Sequence, residues 1–288
     1  MTDAWPFTGP VLVAAGCGGT GRELAAYGDL GGLGAFVTRS TTLQPRPGAA
    51  APRLAESPSG LVNAIGLQNP GVTAFLRDDL PALLDLGATV VASIAGHSLG
   101  EYAELARTLG RAEGVTALEL NLSAPDPTGT AVADLREPFQ AAAVVAACRR
   151  DLPRGVLLLA KLRADPWRVV DHARAVVDAG ADALVVGNAQ PAAMPDGRPG
   201  GLSGPAVRPL ALRSVAEVCR ALPGTPVIGC GGVAEPDDAR AFLDVGARAV
   251  QVGTALFADP TAAFRIAATL RTGDPTPGFH PAETEEDA

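Results

Sequence analysis

Residues 155–187 read GVLLLAKLRADPWRVVDHARAVVDAGADALVVG, and the fold is decided there. A continuous apolar run over 155–161 leads to a helical pattern over 167–179, and a second apolar run follows at 183–187. Strands apolar on both faces suit a parallel sheet covered by helices, and the intervening helix returns the chain for parallel pairing. The unit recurs in both directions. Candidate strands at 11–15, 35–38, 89–95 and 117–121 precede it, and others at 226–230 and 248–253 follow. Helical patterns fill the intervals at 72–86, 99–109, 135–150, 210–222, 236–245 and 259–271. Eight such strands, spaced by roughly the 30 residues of a βαβ unit, predict an α/β fold of the (β/α)8 TIM-barrel type. No Pro/Gly-rich linker divides the chain, so a single domain is expected over 1–271. The polar, Pro-rich and acidic stretch 272–288 is expected to be disordered.

Composition narrows the function. The 288 residues carry a net charge of −8, which argues against a protein that tracks nucleic-acid phosphates. No apolar run reaches the roughly 18 residues of a membrane span, and MTDAWPFTGP lacks the plan of a signal peptide. A cytoplasmic location without membrane association is therefore expected. Cys17, Cys148, Cys219 and Cys230 are far apart and read as free thiols. The histidines at 97, 172 and 280 show no metal-ligand spacing, so no metal is expected. Of 23 basic residues only Lys161 is a lysine, and it ends an apolar strand. That placement points to a site requiring a compact ammonium instead of a planar fork.

In a βα barrel the active site forms at the carboxyl ends of the strands. There the sequence places Gly16-Cys17-Gly18-Gly19, Arg39-Ser40-Thr41-Thr42, Ala95-Gly96-His97, Asn121 to Asp126, Lys161, Gly187-Asn188-Ala189, Gly231-Gly232 and Gly253-Thr254. Three glycine-rich turns, at 200–204, 229–232 and 252–255, let backbone N–H groups approach a phosphate. GCGGTG at 16–21 matches a dinucleotide fingerprint, but 35–42 reads AFVTRSTT and lacks the acidic residue that fingerprint requires.

The stretches AAGCGGTGRELAAY, VTRSTTLQPRP, PRLAESPSGLVNAIGLQNPG, ALELNLSAPD, LLAKL, GGLSGPAVRPLAL, IGCGGV and VGTALF, spread over about residues 10–265, resemble the class 1 dihydroorotate dehydrogenases. Those are cytoplasmic FMN proteins built on a βα barrel. The resemblance implies that Lys161 lies near the N1/O2 edge of the flavin, where a fixed cation favours its reduction. It implies FMN contacts at Ala15, Gly16, Arg39, Ser40, Ser93, Asn121 and Gly187. Gly204, Gly231, Gly232, Gly253 and Thr254 would cradle the phosphate and ribityl chain. Ala15 stands where the family often has Ser, and Ser93 where some members have Asn. Substrate contacts carried over are Arg39, Asn63, Ile65, Gly66, Leu67, Asn121, Asp126, Asn188 and Ala189.

The substrate side departs from the family. Ala124 replaces the catalytic Cys, which is Ser in class 2, and cannot take a proton. Asp126 replaces a substrate-binding Asn, Arg39 a second lysine, and Ala189 a hydroxyl. Asp126 is the candidate acid/base, weighed against a solvated loop carboxylate. Cys17 reads as an inert thiol, His97 as a solvent-facing loop residue, and Tyr27 as packing in the first helix. The expected function is hydride transfer between flavin N5 and a small molecule of CH–CH/C=C type other than dihydroorotate. Slow dihydroorotate oxidation and a non-catalytic or redox-neutral FMN protein are the alternatives. The resemblance further implies a homodimer, and NAIGLQN is closer to the subgroup that pairs with an electron-transfer subunit.

Overall fold

The computed structural model describes residues 5–123 and 137–272. Twelve strands occur in them: β1 (Val11–Val13), β2 (Ala35–Val37), β3 (Leu54–Ser57), β4 (Gly60–Asn63), β5 (Val90–Ile94), β6 (Val115–Asn121), β7 (Leu157–Leu162), β8 (Ala183–Val186), β9 (Gln190–Ala193), β10 (Pro199–Ser203), β11 (Val227–Cys230) and β12 (Ala249–Val252). Eight close into a parallel barrel in the order β1-β12-β11-β8-β7-β6-β5-β2. These are the eight strands expected from the apolar runs, and the fold is a (β/α)8 TIM barrel. The fold resists slippage because each strand is sealed on both faces, so a one-residue shift would exchange its inner and outer side chains.

Helices cover the barrel as the periodicity predicts. The helix Val169–Asp178 buries Val169, Ala173 and Val176, spaced to lie on one face, while Asp171 and Asp178 lie off it. The helix Leu99–Leu109 starts at Ser98, whose hydroxyl accepts from the Glu101 N–H at 3.2 Å and satisfies one orphan donor. Its Tyr102, Leu105, Ala106 and Leu109 are buried against the sheet. Full burial of one such leucine contributes about 1.5–3 kcal/mol.

The barrel interior changes character along its axis. Leu12, Ala35, Val91, Ala117, Leu157, Leu159, Ala183, Ile228 and Ala249 form an apolar cluster inside it. Register pairs Ala117 with Leu157, Glu119 with Leu159 and Asn121 with Lys161, so alternate residues of β6 and β7 become polar toward their carboxyl ends. All eight strands are parallel, and the polar groups collect at one mouth.

The remaining four strands form an antiparallel sheet of order β3-β4-β10-β9. It corrects the reading of 200–204 as a turn: Gly200 to Ser203 belong to β10, pairing with β4 and β9, and only Gly204 lies beyond the strand. Backbone pairing on both sides overrides the glycine content. Tyr27 is a second correction. The first helix ends at Ala25, and Tyr27, beyond it, is 55% exposed. Among the described residues, no helix is long and apolar enough to cross a membrane, and no group of three or more His, Cys, Asp or Glu could hold a metal ion. Ala124, Asp126 and the expected tail beyond Thr272 lie outside the described residues.

Candidate active site

A cavity of about 390 Å³ opens at the carboxyl ends of the barrel strands. Pockets of ~300–1,000 Å³ typically hold a cofactor or small molecule. Most of the residues singled out from the sequence line it: Ala15, Gly16, Arg39, Ser40, Asn63, Ile65, Gly66, Leu67, Asn121, Lys161, Asn188, Ala189, Gly204, Gly231, Gly232, Gly253 and Thr254. Two stand behind the wall. Ser93 is fully buried and shares a hydrogen bond of 2.9 Å with Ser40 Oγ, which spends its hydroxyl on the wall itself. Gly187 has φ 127°, and a Cβ there would fall 1.6 Å from the Cys230 carbonyl oxygen, so its place is close contact between strand ends.

One wall is a cross-linked polar seam. Asn121 Nδ2 donates to Ser40 Oγ at 2.9 Å, and Asn188 Nδ2 donates to Asn121 Oδ1 at 3.2 Å and to Ser123 Oγ at 3.0 Å. The Tyr102 hydroxyl, buried beneath, donates to the Asn121 backbone oxygen at 2.9 Å. Asn63 Nδ2 donates to the Gly201 oxygen and thereby joins β4 to β10. These amides are fixed before any ligand arrives, which is the preorganisation a binding site requires. The 65–67 loop adds two consecutive left-handed residues, Gly66 at φ 72° and Leu67 at φ 55°. A leucine there stores about 1–3 kcal/mol of backbone strain, a cost that clusters at functional loops.

The floor is charged. Lys161 is 4% exposed, and its Nζ donates to Gln251 Oε1 at 2.7 Å and Glu119 Oε1 at 3.3 Å. Burial is the largest influence and depresses the ammonium, but the charge and hydrogen bond of Glu119, together with Cys230 and Cys17, offset it and hold the lysine above its ordinary value. Cys17 and Cys230 also line the cavity. Burial, reinforced by Cys230, pushes the Cys17 thiol up to about 12, so it is neutral and unreactive near neutral pH. His97 is exposed and paired with Arg46 at 2.8 Å, away from the cavity lining.

The opposite side is a cradle of backbone. Gly231 and Gly232 take φ 130° and 74°, a turn that L side chains rarely follow. Among the described residues, the amides of Gly231, Gly232 and Thr254 donate to no protein acceptor. Unpaired N–H groups converging on a cavity form an anion site. Sequence reasoning missed Leu54, Leu61 and Phe257, whose small sheet and short helix carry no strong periodic signal, and Gln68, which lies in the loop after β4. Glu119 and Gln251 were also missed. Their signal was present: each is a polar residue inside an apolar strand, at the parity that faces inward.

A TIM barrel with a polar, preorganised cavity at its strand ends, a buried cation on the floor and unpaired amides opposite defines the class of barrel proteins that take a small anionic ligand or cofactor. The chain belongs to the dihydroorotate dehydrogenase family: the family described as Dihydroorotate dehydrogenase matches it over residues 4–272. It is 46% identical over 270 residues to the protein of Desulforudis audaxviator named dihydroorotate dehydrogenase B (NAD(+)), catalytic subunit, covering 91% of this chain and 87% of that one. It is 43% identical over 277 residues to the protein of the same name from Solidesulfovibrio magneticus, covering 92% and 89%. Among solved structures, the dihydroorotate dehydrogenase of Eimeria tenella in complex with ferulenol superposes with a TM-score of 0.76 at 21% identity, covering 91% of this chain and 80% of that one, which supports the fold. The family's enzymes are oxidoreductases.

Proposed function

We propose that this chain is an FMN-dependent oxidoreductase that exchanges hydride with a small CH–CH/C=C substrate other than dihydroorotate, working as one barrel domain over 1–271. The observation that carries the flavin assignment is the pairing, in one cavity, of a buried lysine with the unpaired amides of Gly231, Gly232 and Thr254. Bound FMN would supply a two-electron acceptor that takes hydride at N5. Those amides, with Gly204 and Gly253, would hold the phosphate and ribityl chain. Lys161, which lines the same cavity, would offer its remaining N–H to the electronegative edge of the ring system. Asn121 and Asn188, locked to each other and to Ser40 and Ser123, would orient the substrate, and Asn63 with the 65–67 loop would border it. Ser93 and Gly187 would support the wall from behind.

The proton is the point of departure from the family. Ala124 stands at the position of the family's catalytic Cys and carries no acceptor, and a missing general base costs about 10²–10⁴ in rate. Asp126 is proposed as the acid/base or substrate-binding group in its stead. It accepts hydrogen bonds where an asparagine could also donate, and it disfavours an anionic substrate. Arg39 and Ala189, both lining the cavity, complete the altered substrate side. The three converging asparagines and the 46% identical relative favour slow dihydroorotate oxidation as the second reading.

The relatives' designation as catalytic subunits supports a separate electron-transfer subunit as partner; a homodimer of this chain is proposed beside it. The test is Ala124→Cys. Flavin released from the purified protein is expected to be FMN at one per chain, and the variant is expected to gain at least a hundredfold in dihydroorotate-driven flavin reduction. Absence of FMN would overturn the flavin assignment. A variant without gain would show that the missing base is not what separates this chain from its relatives.

A further inference from the structure

Lys161 is gripped by two side chains that no motif singled out. Its Nζ donates to Gln251 Oε1 at 2.7 Å and to Glu119 Oε1 at 3.3 Å, while Gln251 Nε2 donates to Glu119 Oε2 at 2.6 Å. The three groups close a ring at the base of the cavity, with Glu119 0%, Gln251 1% and Lys161 4% exposed. They come from β6, β12 and β7, on opposite sides of the barrel interior. An ammonium has three N–H donors. The ring takes two and leaves one for the cavity that Lys161 lines. Among the described residues, the thiols of Cys17 and Cys230 also lie beside the lysine, and burial raises both.

We propose that Glu119, clamped by Gln251, is a positioning residue that fixes both the charge of Lys161 and the direction of its one free N–H. A lysine this deeply buried without a carboxylate partner sheds its proton, since desolvation can lower a buried lysine by several pH units. Paired, it stays charged, and because the pair is neutral overall its field is felt at contact range and fades beyond. The cavity therefore holds a permanent cation whose influence is confined to the atom it touches. What that atom belongs to rests on the FMN reading given above; the state of the lysine does not.

The experiment uses a property of this chain. Lys161 is its only lysine, so protein grown on ¹³C,¹⁵N-lysine gives one side-chain NMR signal, readable with or without flavin. In the parent the ammonium is expected to stay charged through pH 10. In Glu119→Gln its proton affinity is expected to fall roughly a hundredfold or more, and the midpoint potential of bound FMN, followed against pH, gains a break where the lysine titrates. A lysine titration that moves less than threefold, or potential–pH curves that stay parallel, would overturn the proposal.

If Glu119→Gln does not fold, the double variant E119Q/K161M decides. Recovery of soluble protein shows that the carboxylate serves the lysine, and continued misfolding shows that it serves something else. A lysine that responds in protein unable to bind FMN would sink the flavin reading and leave this proposal standing. FMN binding with an indifferent lysine would do the reverse.

Discussion

Tyr102→Phe removes a single oxygen from beneath the active-site seam. The Tyr102 side chain is fully buried, and its hydroxyl donates to the Asn121 backbone oxygen at 2.9 Å, linking the helix Leu99–Leu109 to the end of β6. The ring remains, so no cavity larger than the hydroxyl forms, and the hydrogen bond is the main loss. Leaving a buried carbonyl without that donor costs about 1–3 kcal/mol. For a chain of this size each kcal/mol lowers Tm by roughly 2–4 °C. Thermal unfolding followed by circular dichroism should therefore place the variant at least 2 °C below the parent. The loss should recur with and without FMN, because the hydroxyl touches the wall and not the ligand. A variant within 1 °C of the parent would refute the idea that this bond anchors the seam. A deficit confined to the FMN-bound protein would refute the assignment of Tyr102 to the scaffold.

Three other outcomes follow from the same geometry. Burial pushes the Cys17 and Cys148 thiols from 9.0 to about 12, so the folded state keeps protons that the unfolded chain releases above pH 9. Stability should then fall with rising pH between about 9 and 12, and Cys17→Ser with Cys148→Ser should flatten that fall in urea titrations at pH 8 and pH 10.5. Lys161 acts in the same sense, at higher pH. Its pKa is raised by the Glu119 pair, so its contribution is complete below about 10.4, the unfolded lysine value, and is lost only as pH climbs through the higher folded value. A Lys161→Met variant should lack that late alkaline component.

Gly232→Ala would set a Cβ 2.6 Å from the Arg208 Cβ and 2.9 Å from the Gly204 oxygen, at φ +74°. The ~1–2 kcal/mol penalty for a left-handed residue plus that overlap should distort the cradle and weaken FMN binding tenfold or more. Gly197→Ala, at φ +85° with nothing within 4 Å, carries the backbone penalty alone and should leave FMN affinity unchanged by fluorescence titration.

The barrel was legible because its strands are apolar on both faces, a pattern visible without any partner. VLLLAKL and ALVVG announce themselves, and strict parallel order follows from the helices between them. The antiparallel sheet was not legible for the opposite reason. β9, an edge strand, contains Pro191, and β10 contains Pro199 and two glycines, residues that argue against a strand until backbone pairing within the sheet outweighs them. At the site, residues on strand ends and glycine turns could be read by position. Glu119 and Gln251 escaped because a lone polar residue in an apolar strand reads as noise unless inward parity is counted; counted, it sets Glu119 in line with Asn121 on one face of β6. Tyr27 failed as a packing residue because helix length, not side-chain size, decides what covers it, and the first helix ends two residues earlier, at Ala25.

The central claim, an FMN site kept with its substrate side changed, is tested most directly by the visible spectrum of the purified protein, recorded anaerobically before and after dihydroorotate is added. The account predicts an oxidised flavin band that persists after addition. A band that bleaches within seconds would contradict it and return Ala124 to the status of a tolerated substitution in a working dihydroorotate dehydrogenase.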